Sequence, residues 1–211
     1  IGDGSGAAII LSDSNGAYHG ITAKTSSIGA LTVAAAAKVK TSTTGGAGFA
    51  VSYQGGGALS HGAFSNSGTV EATGSDATSR ALNVAASTTV ASITNTSTGT
   101  IQATGGSAFA IDLLGSAVIT SGISNAGTIR NTSGNLSAIN ITASVASSAS
   151  TVNLINNTGL IQGAGTGSAI VAAAFTGTLT NASGGTISSA GDSGAGTIDV
   201  NGIITGAISN A

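Results

Sequence analysis

The sequence predicts an all-β protein, a right-handed parallel β-solenoid of about seven coils with three short strands in each coil. An Asn follows an apolar residue by two positions six times, at intervals of 29, 30, 31, 25 and 29 residues. Five of these six segments run through a small-residue turn into Gly-Thr-Ile or a close variant. A fixed period of this length is typical of repeat proteins, in which each coil packs on the next.

The composition supports strands rather than disorder. Only 6% of the 211 residues are charged, and Pro is absent, whereas disordered chains are usually rich in both. Ile, Val and Thr recur at regular positions, which favours strands. Because the apolar residues are mostly Ala, Val and Ile, they suit a narrow core that is filled coil by coil.

The apolar-x-Asn segments are expected to form the first strand of each coil. In stacked coils their Asn side chains lie beside one another, and an amide both donates and accepts hydrogen bonds. The sequence therefore predicts a ladder of stacked amides at one corner of the solenoid. A row of polar ligands for a glycan is the functional alternative. The predicted ladder consists of Asn66, Asn95, Asn125, Asn156, Asn181 and Asn210.

Two further segments complete each coil. Thr-Ile and the residues after it, as in Thr100–Ala103, are expected to form the second strand. An alternating segment after a Gly/Ser-rich turn, as in Ala110–Leu113 or Ala138–Ile141, is expected to form the third. Alternation of this kind places one face of the strand inward and the other outward.

This register predicts one β-solenoid domain over residues 1–211. Near the N-terminus, Ile1–Gly6 fits a second strand and its turn, Ala8–Leu11 fits a third strand, and Leu31–Val33 fits a first strand. Crossovers between parallel strands are overwhelmingly right-handed, which gives the expected hand of the solenoid. The predicted coils are 1–30, 31–63, 64–92, 93–122, 123–153, 154–178 and 179–207, with a stub at 208–211.

Charge and residue usage exclude several classes of partner. The net charge is −2 and the basic residues are scattered singly, so we expect no nucleic-acid partner. No apolar run is long enough for a membrane span. The absence of Cys excludes thiolate metal sites and is compatible with a secreted bacterial protein built without disulfides. We expect no cofactor and no bound metal.

One polar column raises the question of catalysis. The third strands carry a polar residue at one position on consecutive coils, and two cations lie near it in the sequence. This arrangement contains only some of the groups of a polysaccharide-lyase site, which needs several carboxylates for calcium and a Lys or Arg base. An outward polar ladder is the favoured interpretation, and His19 and His61 lack a paired carboxylate motif. The column is Asn83, Asp112, Asn140 and, further on, Asp199; the cations are Arg80 and Arg130.

The repeat resembles the β-strand repeats of bacterial autotransporter passengers and related large surface adhesins. The residues that carry this resemblance are Ile123–Ile129, a Ser/Gly-rich turn, and Ser137–Ile141. It covers residues 64–211 well and residues 1–63 loosely. The resemblance implies an exported β-helix, at the cell surface or outside the cell, that serves as an adhesin, a stalk or a matrix fibre.

The expected function is that of a non-enzymatic extracellular structural protein whose coils form or extend a fibre. Ile208, Ser209, Asn210 and Ala211 form the start of a coil, and Ile1 lies where a second strand begins. These complementary segments predict head-to-tail stacking of one copy on the next. A segment cut from a longer array would give matching ends too. An adhesin passenger that binds a glycan or a host surface is the alternative, and a polysaccharide-active enzyme is a distant third.

Overall fold

The computed structural model describes residues 8–13, 18–44, 47–54, 59–74, 79–106, 108–142, 151–152, 154–173, 175–190 and 196–211. All regular structure in these ranges is β-strand, and the strands pair in parallel between successive coils. The prediction of a parallel β-solenoid is therefore confirmed. Its hand stays a prediction.

Three sheets of seven strands form the long walls. The asparagine sheet, built from first strands, contains β3 (Leu31–Val33), β7 (Phe64–Asn66), β11 (Ile93–Asn95), β15 (Ile123–Asn125), β19 (Leu154–Asn157), β22 (Phe175–Asn181) and β25 (Ile204–Asn210). The Thr-Ile sheet, built from second strands, contains β1 (Ala8–Asp13), β4 (Lys38–Thr43), β8 (Thr69–Gly74), β12 (Thr100–Thr104), β16 (Thr128–Asn131), β20 (Leu160–Gly163) and β23 (Thr186–Ser189). The third-strand sheet contains β2 (Tyr18–Ala23), β5 (Gly48–Tyr53), β9 (Arg80–Val84), β13 (Phe109–Leu113), β17 (Ile139–Ile141), β21 (Ile170–Ala172) and β24 (Ile198–Val200).

The expectation of three strands in every coil was wrong for the middle of the solenoid. A fourth, short sheet lies between the third-strand and asparagine sheets. The short sheet has four strands, against seven in each long sheet, and has no strand in the coils at the two ends. Its strands are β6 (Leu59–His61), β10 (Thr88–Val90), β14 (Val118–Ile119) and β18 (Thr151–Val152).

Strands of two sheets are merged in the coils near the C-terminus. In one coil β18 and β19 are separate strands, whereas in the next coil β22 runs through seven residues without a break. Leu154 pairs with Thr178, so the first residues of β22 lie level with β18. The strands of the short and asparagine sheets are thus merged in β22, and the equally long β25 pairs with it over all seven residues.

The core is a stack of equivalent apolar side chains. In the Thr-Ile sheet, Val39, Val70, Ile101, Ile129 and Ile161 align from coil to coil and are fully buried. Complete burial of one such side chain contributes roughly 1.5–3 kcal/mol. Because each layer is capped by the layers above and below, the stability of a coil depends on its neighbours.

The first coil is shifted from its expected register. Ala8–Asp13 pairs with Lys38–Thr43 and is therefore a second strand, not the third strand predicted for Ala8–Leu11. The third strand is Tyr18–Ala23, which pairs with Gly48–Tyr53. Residues 1–6, expected to hold the second strand, lie outside the described residues. An Ile-rich segment satisfies either strand pattern, so only pairing with β4 decides between them.

Candidate functional site

The asparagine sheet carries a continuous ladder of side-chain amides. Each Nδ2 donates to the Oδ1 of the Asn in the next coil, across 24 to 32 residues of sequence. The donor–acceptor distances are 2.8 Å for Asn66 to Asn95, 2.9 Å for Asn95 to Asn125, 2.7 Å for Asn125 to Asn157, 2.8 Å for Asn157 to Asn181 and 2.8 Å for Asn181 to Asn210.

The ladder amides also form hydrogen bonds with backbone carbonyl groups at the corner of each coil. Asn95 Nδ2 donates to Gly99 O of its own coil and to Thr128 O of the next, at 3.1 and 3.2 Å. Asn95 is 1% exposed, so these amides satisfy backbone groups that water does not reach. The structure thus confirms the ladder at Asn66, Asn95, Asn125, Asn181 and Asn210, with Asn210 exposed at its end.

Asn156 was wrongly predicted as a ladder residue, and Asn157 occupies that position. Ile155 aligns with Ile123 and is fully buried, whereas Asn156 aligns with Ser124 and is half-buried. The sequence Leu-Ile-Asn-Asn satisfies the apolar-x-Asn pattern twice, so the pattern does not choose between the two Asn residues. The following glycine does choose. Ladder Asn residues precede their corner Gly by two or four positions, and Asn157, not Asn156, does so before Gly159.

A second cluster lies on the third-strand sheet. The predicted polar column is real: Asn83, Asp112 and Asn140 align on consecutive coils, and Asp199 aligns two coils further on, after Val171. Asp112 is fully buried. Its carboxylate forms an ion pair with Arg80 Nε through Oδ2 and accepts a 2.8 Å hydrogen bond from Asn140 Nδ2 through Oδ1.

These partners determine what Asp112 can do. Both of its oxygens are engaged, and the Arg80 guanidinium lies 5.3 Å from the centre of the Phe49 ring. Arg130, the other candidate cation, is on the Thr-Ile sheet and donates to Gln102 Oε1 at 3.0 and 2.9 Å. No group of three or more His, Asp or Glu side chains among the described residues is arranged to hold a metal ion. The cluster is therefore a structural network in which both oxygens of Asp112 already have partners from the protein.

A concave pocket of about 240 Å³ lies beside this network, and we call it the lateral pocket. It combines apolar side chains with amides, hydroxyls and one carboxylate. Sequence reasoning found Asn140 and Asp199 but missed the rest, because these residues come from different coils. The lining residues are Phe109, Asn135, Leu136, Ser137, Asn140, Thr166, Gly167, Ser168, Val171 and Asp199.

His61 is a buried residue of the core wall. It is 4% exposed, its Nδ1 accepts a 3.3 Å hydrogen bond from Ile28 N, and its ring centre lies 5.0 Å from that of Tyr53. His61 Nε2 and the Tyr53 hydroxyl have no hydrogen-bond partner in the described part of the chain. Burial lowers the pKa of His61 and raises the pKa of Tyr53. The side chain of His19 lies outside the described residues.

Comparison with known proteins found no matching family model, no matching curated protein and no matching solved structure. Among the residues that the structure describes, there is no helix long and apolar enough to cross a membrane. Fold and ladder together define the class: a parallel β-solenoid repeat protein with an internal asparagine ladder.

Proposed function

We propose that this chain is a structural segment of an extracellular surface or matrix fibre, in which solenoid coils continue head to tail along one axis. The observation that supports it is the pairing of β25. This strand pairs with β22 over all seven of its residues and lies at the edge of the asparagine sheet. Its register repeats that of the inner coils, so a following coil could pair with β25 as one inner coil pairs with the next.

The exposed face of β25 carries residue types that are buried in the inner coils. Ile208 aligns with buried Leu179 in the core column but is 48% exposed, and Ile203 is 76% exposed. Apolar residues in a core position gain free energy when another coil covers them. Asn210 extends the ladder to this face and is itself exposed. A following coil, from the same polypeptide or from a second copy, would bury all three residues.

The backbone of β25 is oriented for such an addition. Phe64 and Ile93 occupy the equivalent position in inner coils, and their N–H groups donate to the following coil at 2.8 and 3.1 Å. Ile208 aligns with them through successive coils, so its N–H points away from β22. Unpaired strand edges of this kind recruit further strands.

Electron microscopy and sedimentation of the purified chain test the proposal. We expect filaments whose length increases with protein concentration. Ile208→Pro removes an outward donor while the bonds to β22 remain, and edge strands tolerate Pro at such positions. Ile208→Val keeps the donor and is the matched control. Assembly should be lost in the first variant and kept in the second. Single rods at high concentration, or equal assembly of the two variants, would contradict head-to-tail stacking.

The extracellular location is part of the same proposal. It is supported by the resemblance of the repeat to those of bacterial surface adhesins, and the absence of Cys is compatible with it. Immunogold labelling of intact producing cells is expected to decorate the cell surface or the surrounding matrix. Label confined to the cell interior would contradict the location but not the stacking, so the two parts of the proposal are tested separately.

A further inference from the structure

The lateral pocket is a feature that fibre formation does not use. It is lined by residues of the third-strand sheet and its turns, and one of them, Asp199, is on β24, the edge strand of that sheet. We propose that the lateral pocket binds a single neutral sugar ring of a glycan, held between Asn140 and Asp199. The proposal gives the alternative adhesin function a specific site and is tested separately from head-to-tail stacking.

The floor of the pocket suits the apolar face of a sugar ring. Asn140, Val171 and Asp199 occupy one position on three successive coils. Strands are about 4.8 Å apart, so Asn140 and Asp199 are separated by roughly 10 Å, with Val171 between them. Phe109 and Leu136 add apolar surface to the wall. An apolar floor with a polar group at each end matches a ring with C–H faces and a rim of hydroxyls.

The polar groups at the two ends have oxygen atoms without a partner among the described residues, although Asn140 is only 7% exposed. Asn140 uses Nδ2 for Asp112, which Arg80 fixes in turn, and no hydrogen bond from a described residue reaches Asn140 Oδ1. Asp199 has no hydrogen-bond or ion-pair partner among the described residues. Asn140 Oδ1 and the Asp199 carboxylate can accept hydrogen bonds from sugar hydroxyls. The Asn135 amide on the rim can donate hydrogen bonds to the oxygens of the same hydroxyls. Asn140 is therefore pre-oriented by a buried network, which lowers the entropy cost of binding.

Charge and size narrow the ligand class. The lining contains one carboxylate and no cationic side chain, so uronic acids and sulfated sugars meet like charge. A volume of about 240 Å³ is below the range of roughly 300–1,000 Å³ that is typical of sites for drug-sized molecules, so one ring fits. A peptide strand is a poorer fit, because it would add to the backbone edge of β24, whereas the pocket is lined mainly by side chains.

Saturation-transfer NMR with the full chain tests the pocket directly. The probes are the methyl glycosides of glucose, galactose and N-acetylglucosamine, and galacturonate as the charged comparison. We expect transfer to at least one neutral sugar and binding of galacturonate that is weaker by about tenfold or more. No transfer to any neutral sugar at millimolar concentration, or stronger binding of galacturonate, would overturn the proposal.

Three variants locate the binding. Val171→Trp fills the floor from a partly exposed position and should abolish transfer. Asp199→Asn should weaken binding about tenfold, because it replaces a charge-assisted hydrogen bond. Glu71→Gln removes a carboxylate from the Thr-Ile sheet, outside the pocket, and is the matched control. Thermal melts check folding of each variant, and filament formation of Val171→Trp should be unchanged. Binding that survives both pocket substitutions would rule the site out.

Discussion

Asn125 donates from Nδ2 to Asn157 Oδ1 at 2.7 Å, although the two residues are 32 positions apart in the sequence. The same Nδ2 lies 3.0 Å from Leu160 O of the following coil, so this one amide joins two coils through side chain and backbone. An array of such bonds holds the coils in register, because a shift of one residue would place an outward residue at the corner.

Asn125→Ala should destabilise the protein, whereas Asn156→Ala should have little effect. The first substitution leaves Asn157 Oδ1 and buried corner carbonyls without their donor, at a cost of about 1–3 kcal/mol. Asn156 is half-buried and outside the ladder, so its loss should cost less than about 0.5 kcal/mol. Urea denaturation followed by circular dichroism compares the two. Equal shifts of the midpoint would contradict the observed register.

The buried ion pair should show strong coupling. Arg80→Leu leaves the fully buried Asp112 carboxylate without its cation, which typically costs about 3–5 kcal/mol. Asp112→Asn should suppress most of that penalty in the double variant, because a neutral amide needs no counter-charge. A double-mutant cycle measured by denaturation gives the coupling free energy, and the cycle also removes the separate contribution of Arg80 packing on Phe49. Additive single effects would show that the pair is not coupled.

Stability should fall on mild acidification because of His61. Burial lowers the pKa of His61 in the folded state, so unfolding takes up a proton at acid pH. The contribution is fully present above the unfolded pKa of about 6.5 and is lost as the pH falls below it. Melting temperatures between pH 8 and pH 5, a range chosen around that value, measure the effect. His61→Phe, with His19 retained, should show a flatter profile over this range; an unchanged slope would exclude His61 as the source.

Gly206 should be required for the pairing of β25. Its φ is +146°, and a Cβ there would collide with the Gly177 carbonyl oxygen of the preceding coil. Gly206→Ala should therefore detach β25 locally without unfolding the inner coils. Hydrogen exchange of the Ala211 amide, which bonds Asn181 O at 3.0 Å, should become faster. The Thr128 amide, bonded to Gly99 O at 2.9 Å, serves as the internal control. Unchanged protection of Ala211 would contradict this prediction.

Two segments, one inside the repeat and one in its first coil, show where sequence reasoning stopped. In Leu154-Ile-Asn-Asn157 two apolar residues precede two Asn residues, so the periodic pattern allows two registers. Pairing of Ile155 with Ile123 and Leu179 selects one of them. Ala8–Leu11 was assigned to the wrong sheet for the same reason, because an apolar segment fits either wall until β4 pairs with it. A pattern that one segment satisfies twice is resolved only by its neighbours in space.

The sequence by itself determined the class of fold, the walls to which most strands belong and all but one member of the asparagine ladder. It did so because stacked coils repeat one environment, and one environment selects the same residue type in each coil. The tertiary structure decided the short fourth sheet, the merging of strands in β22, the burial of Asp112 against Arg80, and the lateral pocket. These features depend on side chains that differ from coil to coil at the same position, so they leave no periodic signal in the chain.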